Sequence, residues 1–338
     1  MRLDFADRAV IMKLTSQKEI FMTKRETFIK ALKREPITGL VPHFELEFFL
    51  TMEAFHRIHG SQKRFSQWNQ MSQRERDLHI DEIADLYVTV AEHYNHFAIF
   101  VQPIPDHFEG TRRVLERIRE KTGDKYFLMV HADPTFAIPS GGDMVEFSAQ
   151  IYENEDGMKA LAAKRLEDET ARIDKYFNNG ILDGMALCSD YCFNVNPFFS
   201  PDMFSEFVTP YLFEIIKRCH DRGYYVIKHT DGNIMPILDQ LVQCGPDAMH
   251  SLDPQGGVSL AEVKRLYGDK VALCGNVNCA LLQTGTEEEC IADIRRSLRD
   301  GMNGWGYIFC TSNCVYTGMP LERYELMNRI WQAEGIYQ

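Results

Sequence analysis

Short apolar runs that end in polar residues recur along the second half of the chain. In residues 224–231 (YYVIKHTD), the run Tyr-Tyr-Val-Ile leads to His229 and Asp231. A continuous apolar run of this length is typical of a buried parallel strand. Three later runs share this design and end in Asp253, Cys274 and Cys314. The pattern predicts four successive parallel strands whose polar ends meet at one edge of a sheet.

Four further strand candidates precede these runs, and helical patterns separate all eight. The early candidates are residues 40–49, 97–101, 126–130 and 183–188. Alternation of strands with helices predicts a parallel sheet, and eight such units favour a closed (β/α)8 TIM barrel over an open doubly wound sheet. No Gly-x-Gly-x-x-Gly motif follows the early strands, which weakens the dinucleotide-binding alternative. We therefore predict an α/β fold with a single TIM barrel over residues 22–338.

Capping signals mark the start of several helices and of the barrel itself. Thr23 and Glu26 have the spacing of a capping box, so the segment before them, residues 1–21, is interpreted as a helical N-terminal extension. Ser200 followed by Pro201 has the pattern of an N-cap with proline at the first helical position.

Composition narrows the classes of function. The chain has 338 residues and a formal net charge of -12, which argues against a nucleic-acid partner because phosphate binding requires a basic face. No run of eighteen or more apolar residues is present, so no membrane span is predicted. Nine cysteines without a secretory signal indicate reduced thiols and a cytoplasmic location.

The predicted rim at the carboxyl ends of the strands is rich in acids, imidazoles and thiols. Barrel active sites are assembled at this end from several strands. Its members are Glu45 or Glu47, Gln102, His131, Asp190, His229, Asp231, Asp253, Cys274, Cys310 and Cys314. Each residue alone has a structural explanation, such as a buried cysteine or a turn-capping aspartate, but their joint occurrence predicts a functional site. Thiolates with an imidazole and a carboxylate suit Zn2+ better than Mg2+ or Ca2+.

Five short motifs occur in order along the chain. They are SPDMF at 200–204, GYYVIKHTDG at 223–232, GNV at 275–277, GYI at 306–308 and PLE at 320–322. Together they resemble the uroporphyrinogen decarboxylase superfamily over nearly everything from residue 22 on, and this resemblance implies a (β/α)8 barrel. Decarboxylation itself fits poorly, because Glu45 and Glu47 lie where those decarboxylases carry an arginine-rich loop. An anionic tetrapyrrole would meet like charge there.

The chain is more similar to the branch of zinc-dependent methyltransferases that act with a corrinoid protein. Many members carry His-x-Cys where this chain has His229 and Asp231, and they carry a late cysteine that Cys314 resembles. Because Asp231 replaces the family cysteine, the resemblance implies an altered ligand set in which Cys274 supplies the missing thiolate and Asp253 an acidic ligand. The expected metal ligands are therefore Cys274, Cys314, Asp253 and His229.

The resemblance implies methyl transfer from a small methylated donor to the Co(I) corrinoid of a partner protein. We expect Zn2+ to act as a Lewis acid on the heteroatom that carries the methyl group, and the expected donor is a methoxylated aromatic, which is O-demethylated. The groups expected to protonate the leaving oxygen are Glu45, Glu47, His131 and Asp190. The residues expected to bind the substrate are Tyr191, Asp231, Phe198 and Phe199.

Three alternatives stay open. One is a methylcobamide:thiol methyltransferase, in which zinc activates a thiol acceptor. Another is a metal-free lyase like the decarboxylases, which uses only Asp190. The third is a binding or corrinoid-carrier module, although the chain lacks the Asp-x-His-x-x-Gly loop of such carriers. Members of the superfamily are often dimers, so a homodimer is also expected.

Overall fold

Nine strands form two sheets in the computed structural model, which describes residues 22–62, 68–102 and 108–338. The larger sheet is parallel and curled, and its strands are adjacent in chain order. They are β2 Ala98–Val101, β3 Phe127–His131, β4 Gly184–Cys188, β5 Tyr225–Thr230, β6 Ala248–Ser251, β7 Ala272–Cys274 and β8 Tyr307–Ile308. The smaller sheet pairs β1 Gly39–Leu40 with β9 Ile336–Tyr337 in antiparallel orientation. Seven of the eight predicted strands are therefore confirmed.

Helices follow the strands and cover the outer face of the sheet. The α-helices of the described residues are α1 Lys24–Leu32, α2 Thr51–Phe55, α3 Gln73–His93, α4 Phe108–Thr122, α5 Met144–Glu153, α6 Glu155–Tyr176, α7 Pro201–Phe207, α8 Thr209–Asp221, α9 Leu238–Gln243, α10 Leu260–Tyr267, α11 Cys279–Thr284, α12 Glu287–Gly301 and α13 Leu321–Glu334. The predicted caps are confirmed, since Thr23 and Glu26 form a capping box and the Ser200 side chain accepts from the amide of Met203. None of these helices is both long enough and apolar enough to span a bilayer.

The first predicted strand, residues 40–49, is not a regular strand of the large sheet. Its backbone instead makes separate contacts with both edges: the carbonyl of Pro42 accepts from Phe309 N (2.8 Å), and that of His43 accepts from Phe97 N (2.7 Å). Pro42 has no N–H to donate, which interrupts any continuous ladder. The predicted eighth regular strand is therefore not confirmed; the segment makes only isolated parallel bridges, His43 with Phe309 and Phe48 with Val315. The predicted extension, residues 1–21, lies outside them.

Strand β4 is tied to its surroundings through Asp183, which immediately precedes it. The Asp183 carboxylate accepts from Arg25 Nε (2.7 Å), from an Arg119 guanidinium nitrogen (3.0 Å) and from the amide of Leu128 (2.9 Å). One buried carboxylate thus connects helices α1 and α4 with strands β3 and β4. Burial of a charge is tolerated here because each oxygen has charged or backbone donors.

We expect Asp183→Asn to lower the free energy of unfolding by about 3 kcal/mol, because two guanidinium groups lose their buried partner. Urea unfolding at neutral pH measures this change. Glu334→Gln is the matched control, since Glu334 pairs with Arg295 through exposed side chains. Its loss should stay below about 1 kcal/mol. Equal losses in both variants would contradict a special role for Asp183.

Candidate active site

Strand register brings the polar strand ends together. The Cα atom of His229 in β5 is paired with Cys188 of β4 on one side and His250 of β6 on the other. Paired residues point to the same face of a sheet, and residues two positions further along point there too. Asp190 and Asp231 follow Cys188 and His229 by two positions, so both carboxylates lie beside His229 at the rim.

Asp190, His229 and Asp231 form the rim group. Their potential ligand atoms all lie within 4.8 Å of one another, and no other such set of three His, Cys, Asp or Glu residues occurs in the part of the chain that the structure describes. His229 Nε2 is 3.7 Å from Asp190 Oδ1 and 3.8 Å from Asp231 Oδ1. The Asp190 side chain is 52% exposed and that of His229 only 8%. The group is therefore anchored at His229 and open to solvent at Asp190.

Two neighbouring strands hold the Asp231 carboxylate. Ser251 Oγ donates to its Oδ1 (2.6 Å), and Asn313 Nδ2 donates to its Oδ2. Burial raises the pKa of Asp231 above its ordinary value; nearby negative charge on Asp190 adds to this rise, and His229 opposes it. The carboxylate is thus rigidly placed but short of positive charge. A bound cation would lower its pKa again.

His250 lies behind His229 and forms a hydrogen bond with Nδ1 of the His229 ring. The two Nδ1 atoms are 2.8 Å apart, so one donates and the other accepts. His250 is fully buried, and burial keeps its pKa well below the ordinary histidine value. When His229 Nδ1–H is the donor, the Nε2 lone pair of His229 points toward the two carboxylates. This is the tautomer in which a histidine binds a metal through Nε2.

The rim group fits a zinc ion by chemistry and by spacing. Zinc accepts imidazole nitrogen and carboxylate oxygen at about 2.0–2.2 Å, so tetrahedral ligand atoms lie about 3.4 Å apart. The two distances from His229 Nε2, 3.7 and 3.8 Å, are close to this value, and the carboxylates of Asp190 and Asp231, which lie within 4.8 Å of each other, would draw together around the ion. Hydrogen bonds from residues behind the ligands, which zinc sites commonly carry, are already present on His229 and Asp231.

The structure does not bring the four predicted metal ligands together. Only His229 belongs to the rim group. Cys274 is fully buried in β7 beside His250, and burial raises its thiol pKa far above the ordinary value. Asp253 accepts from the amides of Gly232 (3.2 Å) and Gln255 (2.9 Å), and it caps the short 3-10 helix that follows.

Cys314, the fourth predicted ligand, lies next to the rim group on the chain that follows β8. It directly follows Asn313, which donates to Asp231. Burial raises the pKa of its thiol, and the negative charges of Glu47 and Asp231 raise it further. The charge of Asp231 therefore acts on this thiol.

The four predicted proton donors occupy four different environments. Glu45 is buried, where it accepts from Thr311 Oγ1 (2.5 Å), and burial raises its pKa to about 8. Glu47 is partly exposed, and burial raises its pKa to about 7. The His131 ring is bonded to the carbonyl of Cys188, with Nε2 3.1 Å from the oxygen. Asp190, the fourth, belongs to the rim group.

Tyr191, one of the expected substrate contacts, is packed inside the protein. It is 1% exposed; its hydroxyl is 2.6 Å from Thr135 Oγ1, and Lys228 Nζ lies 4.2 Å from its ring centroid. Lys228 in turn forms a fully buried ion pair with Asp133 (2.8 Å). Tyr191 therefore belongs to a buried polar cluster beneath the rim, which does not fit the expected substrate wall.

The expected aromatic contacts Phe198 and Phe199 pack against each other on the loop after β4. Their ring centroids are 5.0 Å apart, and with Met203 and Tyr152 they line a 100 Å³ cavity. Phe198 N donates to the carbonyl of Tyr191 (2.8 Å), which folds this loop back on itself. Of the four expected substrate residues, Asp231 alone lies in the rim group.

His250, Ser251 and Asn313 support the site but were missed at the level of sequence. His250 and Ser251 lie in the run that ends in Asp253, and only this terminal acid was predicted to be a site residue. A second signal was present, since His250 precedes the end of its strand as His229 does. Only the pairing of β5 with β6 shows that the two imidazoles meet.

A curled parallel sheet with polar side chains at its carboxyl ends places the protein among TIM-barrel-like α/β proteins. Residues 139–332, more than half of the chain, match the family described as uroporphyrinogen decarboxylase (URO-D). The chain therefore belongs to this family, and the resemblance noted from its motifs is confirmed.

Two solved structures are similar to this chain at low sequence identity. A methyltransferase from Methanosarcina mazei is 17% identical with a TM-score of 0.68, and the match covers 93% of this chain and 99% of that chain. A 3-keto-D-glucoside 4-epimerase from E. coli is more distant, with 10% identity, a TM-score of 0.44 and coverage of 75% and 94%. No curated protein matches the sequence. The similarity to the methyltransferase structure shows the fold of this chain.

We expect the stability of the unmodified protein to fall relative to Glu45→Gln as pH rises from 5 to 8. The folded-state pKa of about 8 lies above the ordinary 4.5, so the folded protein holds a proton that the unfolded chain has lost in this window. One such group contributes a slope of at most about 1.4 kcal/mol per pH unit. Urea unfolding at several pH values measures the difference.

Glu288→Gln is the control, because Glu288 is exposed on helix α12. Its stability difference from the unmodified protein should stay constant over the same range. A constant difference for Glu45→Gln as well would show that Glu45 ionises normally in the folded protein.

Proposed function

We propose that the protein is a zinc-dependent methyltransferase. It would move a methyl group from a small methylated donor to the Co(I) corrinoid of a partner protein. The observation that carries this proposal is the rim group, in which His229, Asp231 and Asp190 converge at the carboxyl ends of the strands. Three protein ligands of nitrogen and oxygen type are the number that catalytic zinc sites use.

The residues of the rim group would hold the metal and orient it. Zinc there would supply Lewis-acid polarisation of the heteroatom that carries the methyl group. His250 keeps the His229 ring in position, and Ser251 and Asn313 hold the Asp231 carboxylate. Asp190 is the exposed member, so the donor and the partner protein would approach from its side.

Glu47 is the proposed proton donor to the leaving oxygen. Its pKa of about 7 lies near the working pH of a cytoplasmic enzyme, which is where a general acid is most effective. Glu47 is partly exposed, and its charge raises the thiol pKa of Cys314. Cys314 directly follows Asn313, whose side chain donates a hydrogen bond to Asp231. Glu45 is fully buried and bonded to Thr311, so it is better placed to hold Glu47's segment than to exchange protons with substrate.

A methoxylated aromatic is the proposed donor, because its phenolate leaves readily only when a proton or a cation stabilises it. Phe193 supports this choice. Its ring is 42% exposed, and its carbonyl accepts from the amide of Asn233 (2.9 Å), two residues after Asp231. The Phe193 ring centroid lies 6.5 Å from that of Phe198, and this partly exposed aromatic pair would offer a contact surface for an aromatic donor.

We expect the anaerobically purified protein to contain about one zinc per chain, measured by plasma mass spectrometry. His229→Gln and Asp231→Asn should lose the metal, because each removes a ligand charge or lone pair. His250→Leu should weaken zinc affinity by about 10- to 100-fold, as losses of a supporting hydrogen bond do at other zinc sites.

Cys274→Ser and Asp253→Asn are the controls, since both residues were candidate ligands that the rim group does not include. Both should keep the zinc content of the unmodified protein. Loss of zinc in Cys274→Ser with retention in Asp231→Asn would reverse the assignment and restore the ligand set expected from the resemblance.

We also expect the zinc-loaded protein to methylate a supplied Co(I) corrinoid protein when given a methoxylated aromatic. The conversion of Co(I) to methyl-Co(III) is followed by visible absorbance, with methanol, methylamines and methyl thiols as competing donors. Glu47→Gln should lower kcat by about 100-fold with little change in KM, because a general acid acts in the transition state. No turnover with any donor would contradict the proposal.

A second candidate is the metal-free lyase. The 52% exposure of Asp190 favours it, because a substrate could reach this carboxylate directly. It requires that activity persist without metal and depend on Asp190 alone. Zinc-free protein that still turns over a carboxylate substrate would select this candidate.

A further inference from the structure

A basic cleft lies at the opposite end of the sheet from the rim group. It has a volume of 710 Å³ and lies where helices α1, α10 and α12 end. The segments that precede β7 and β8 form part of its wall. Its lining residues include Lys33, Arg34, Lys264, Arg265, Asp269, Arg299, Asp300 and Trp305. No residue of the rim group takes part.

The cleft is positive on a protein that is negative as a whole. Five cationic side chains and two carboxylates line it, which leaves an excess of three positive charges, whereas the chain has a formal net charge of -12. Among the described residues, only Arg299 of the five has a carboxylate partner at ion-pair distance, which is Asp300. The cleft therefore keeps a net positive charge on one concave surface, and four of its five cations form no ion pair with a carboxylate of the described residues.

Helix ends explain only part of this charge. Lys33 follows α1, Lys264 and Arg265 lie in the last turn of α10, and Arg299 lies in the last turn of α12. Cations are favoured there because each helix carries about half a negative charge at its carboxyl end. Three helix ends supply about 1.5 negative charges, so a positive excess remains for a ligand.

Lys264 is one of the cationic residues that line the cleft. Its Nζ donates to the carbonyl of Trp305 (2.6 Å), which leaves two donor hydrogens for another acceptor. The side chain is half-buried, and burial lowers its pKa to about 8. An anion bound in the cleft would stabilise this desolvated ammonium.

Trp305 adds an aromatic surface beside the charges. The side chain is 45% exposed, and it stands between Gly304 and Gly306, which both have positive φ. Gly306 is required by the packing of Arg34, since a Cβ atom there would lie 2.5 Å from Arg34 Cγ. The backbone thus presents the indole and one guanidinium at the same wall.

We propose that this cleft binds a nucleotide-class ligand, with its phosphates on Lys264, Arg265 and Arg34 and its base on Trp305. A volume of 710 Å³ is in the range of small-molecule pockets, whereas a protein partner would need a flatter and larger surface. Paired guanidinium and ammonium groups suit phosphate oxygens, and an exposed indole suits a base. The proposal is independent of methyl transfer.

The test is calorimetric titration of the full-length protein with ATP, inorganic pyrophosphate and adenosine in magnesium-free buffer. We expect ATP to bind saturably, pyrophosphate to bind about tenfold more weakly, and adenosine not to bind measurably, because charge carries the affinity and stacking adds to it. Affinity for ATP should fall as NaCl rises from about 0.05 to about 0.5 M.

Variants separate the contribution of the cationic side chains from that of the Trp305 indole. Lys264→Gln with Arg265→Gln should weaken ATP and pyrophosphate alike by at least about tenfold. Trp305→Ala should weaken ATP by about tenfold and leave pyrophosphate unchanged. Lys270→Gln is the matched control, because Lys270 is exposed near the cleft but does not line it, and its affinities should stay unchanged.

Two results would overturn the proposal. One is the absence of saturable ATP binding up to about 1 mM at low salt. The other is binding of polyglutamate, a mimic of an acidic protein surface, in place of ATP, which would make the cleft a docking surface. Far-ultraviolet circular dichroism of each variant verifies that it is folded. The titrations measure binding alone, so failure of methyl transfer would not affect them.

Discussion

Hydrogen-bond register among β4, β5 and β6 is the constraint on which the site depends. It pairs His229 with Cys188 and His250, and it thereby lines up the carboxylates of Asp190 and Asp231 one step further along. Side chains alternate between the faces of a sheet, so a slip of one residue would turn His229 toward the helices. Backbone pairing therefore determines whether these polar groups meet, while their chemistry comes from the side chains.

Charge is balanced inside the protein and unbalanced at its two ends. Lys228 and Asp133 neutralise each other with no exposure to solvent, just beneath the rim. At the rim, two carboxylates share one imidazole, and the pKa of Asp231 is raised chiefly by burial and further by the negative charge of Asp190. At the opposite end, five cationic side chains outnumber two carboxylates in the lining of the cleft. The two ends of the sheet are thus suited to ligands of opposite charge.

Membership of the URO-D family defines the scaffold, and the side chains on it define the chemistry. Glu45 and Glu47 illustrate this division. They lie on an irregular segment between the edges of the sheet, where burial raises their pKa values to about 8 and about 7. Acids that hold protons at neutral pH suit proton donation to a leaving group. Glu47 thereby complements a rim group that would hold a cation.

Local pattern was sufficient for seven of the eight strands and for the helix caps, because apolar runs and caps such as Ser200 act over a few residues. It also placed Asp190, His229 and Asp231 at strand ends. The sequence by itself could not choose among similar ligand types: Cys274 and Asp253 have suitable chemistry, yet one is enclosed beside His250 and the other caps a turn. Only the tertiary structure decided which groups meet, because the distances between them depend on register and loop path. These are set by contacts between residues far apart in the chain.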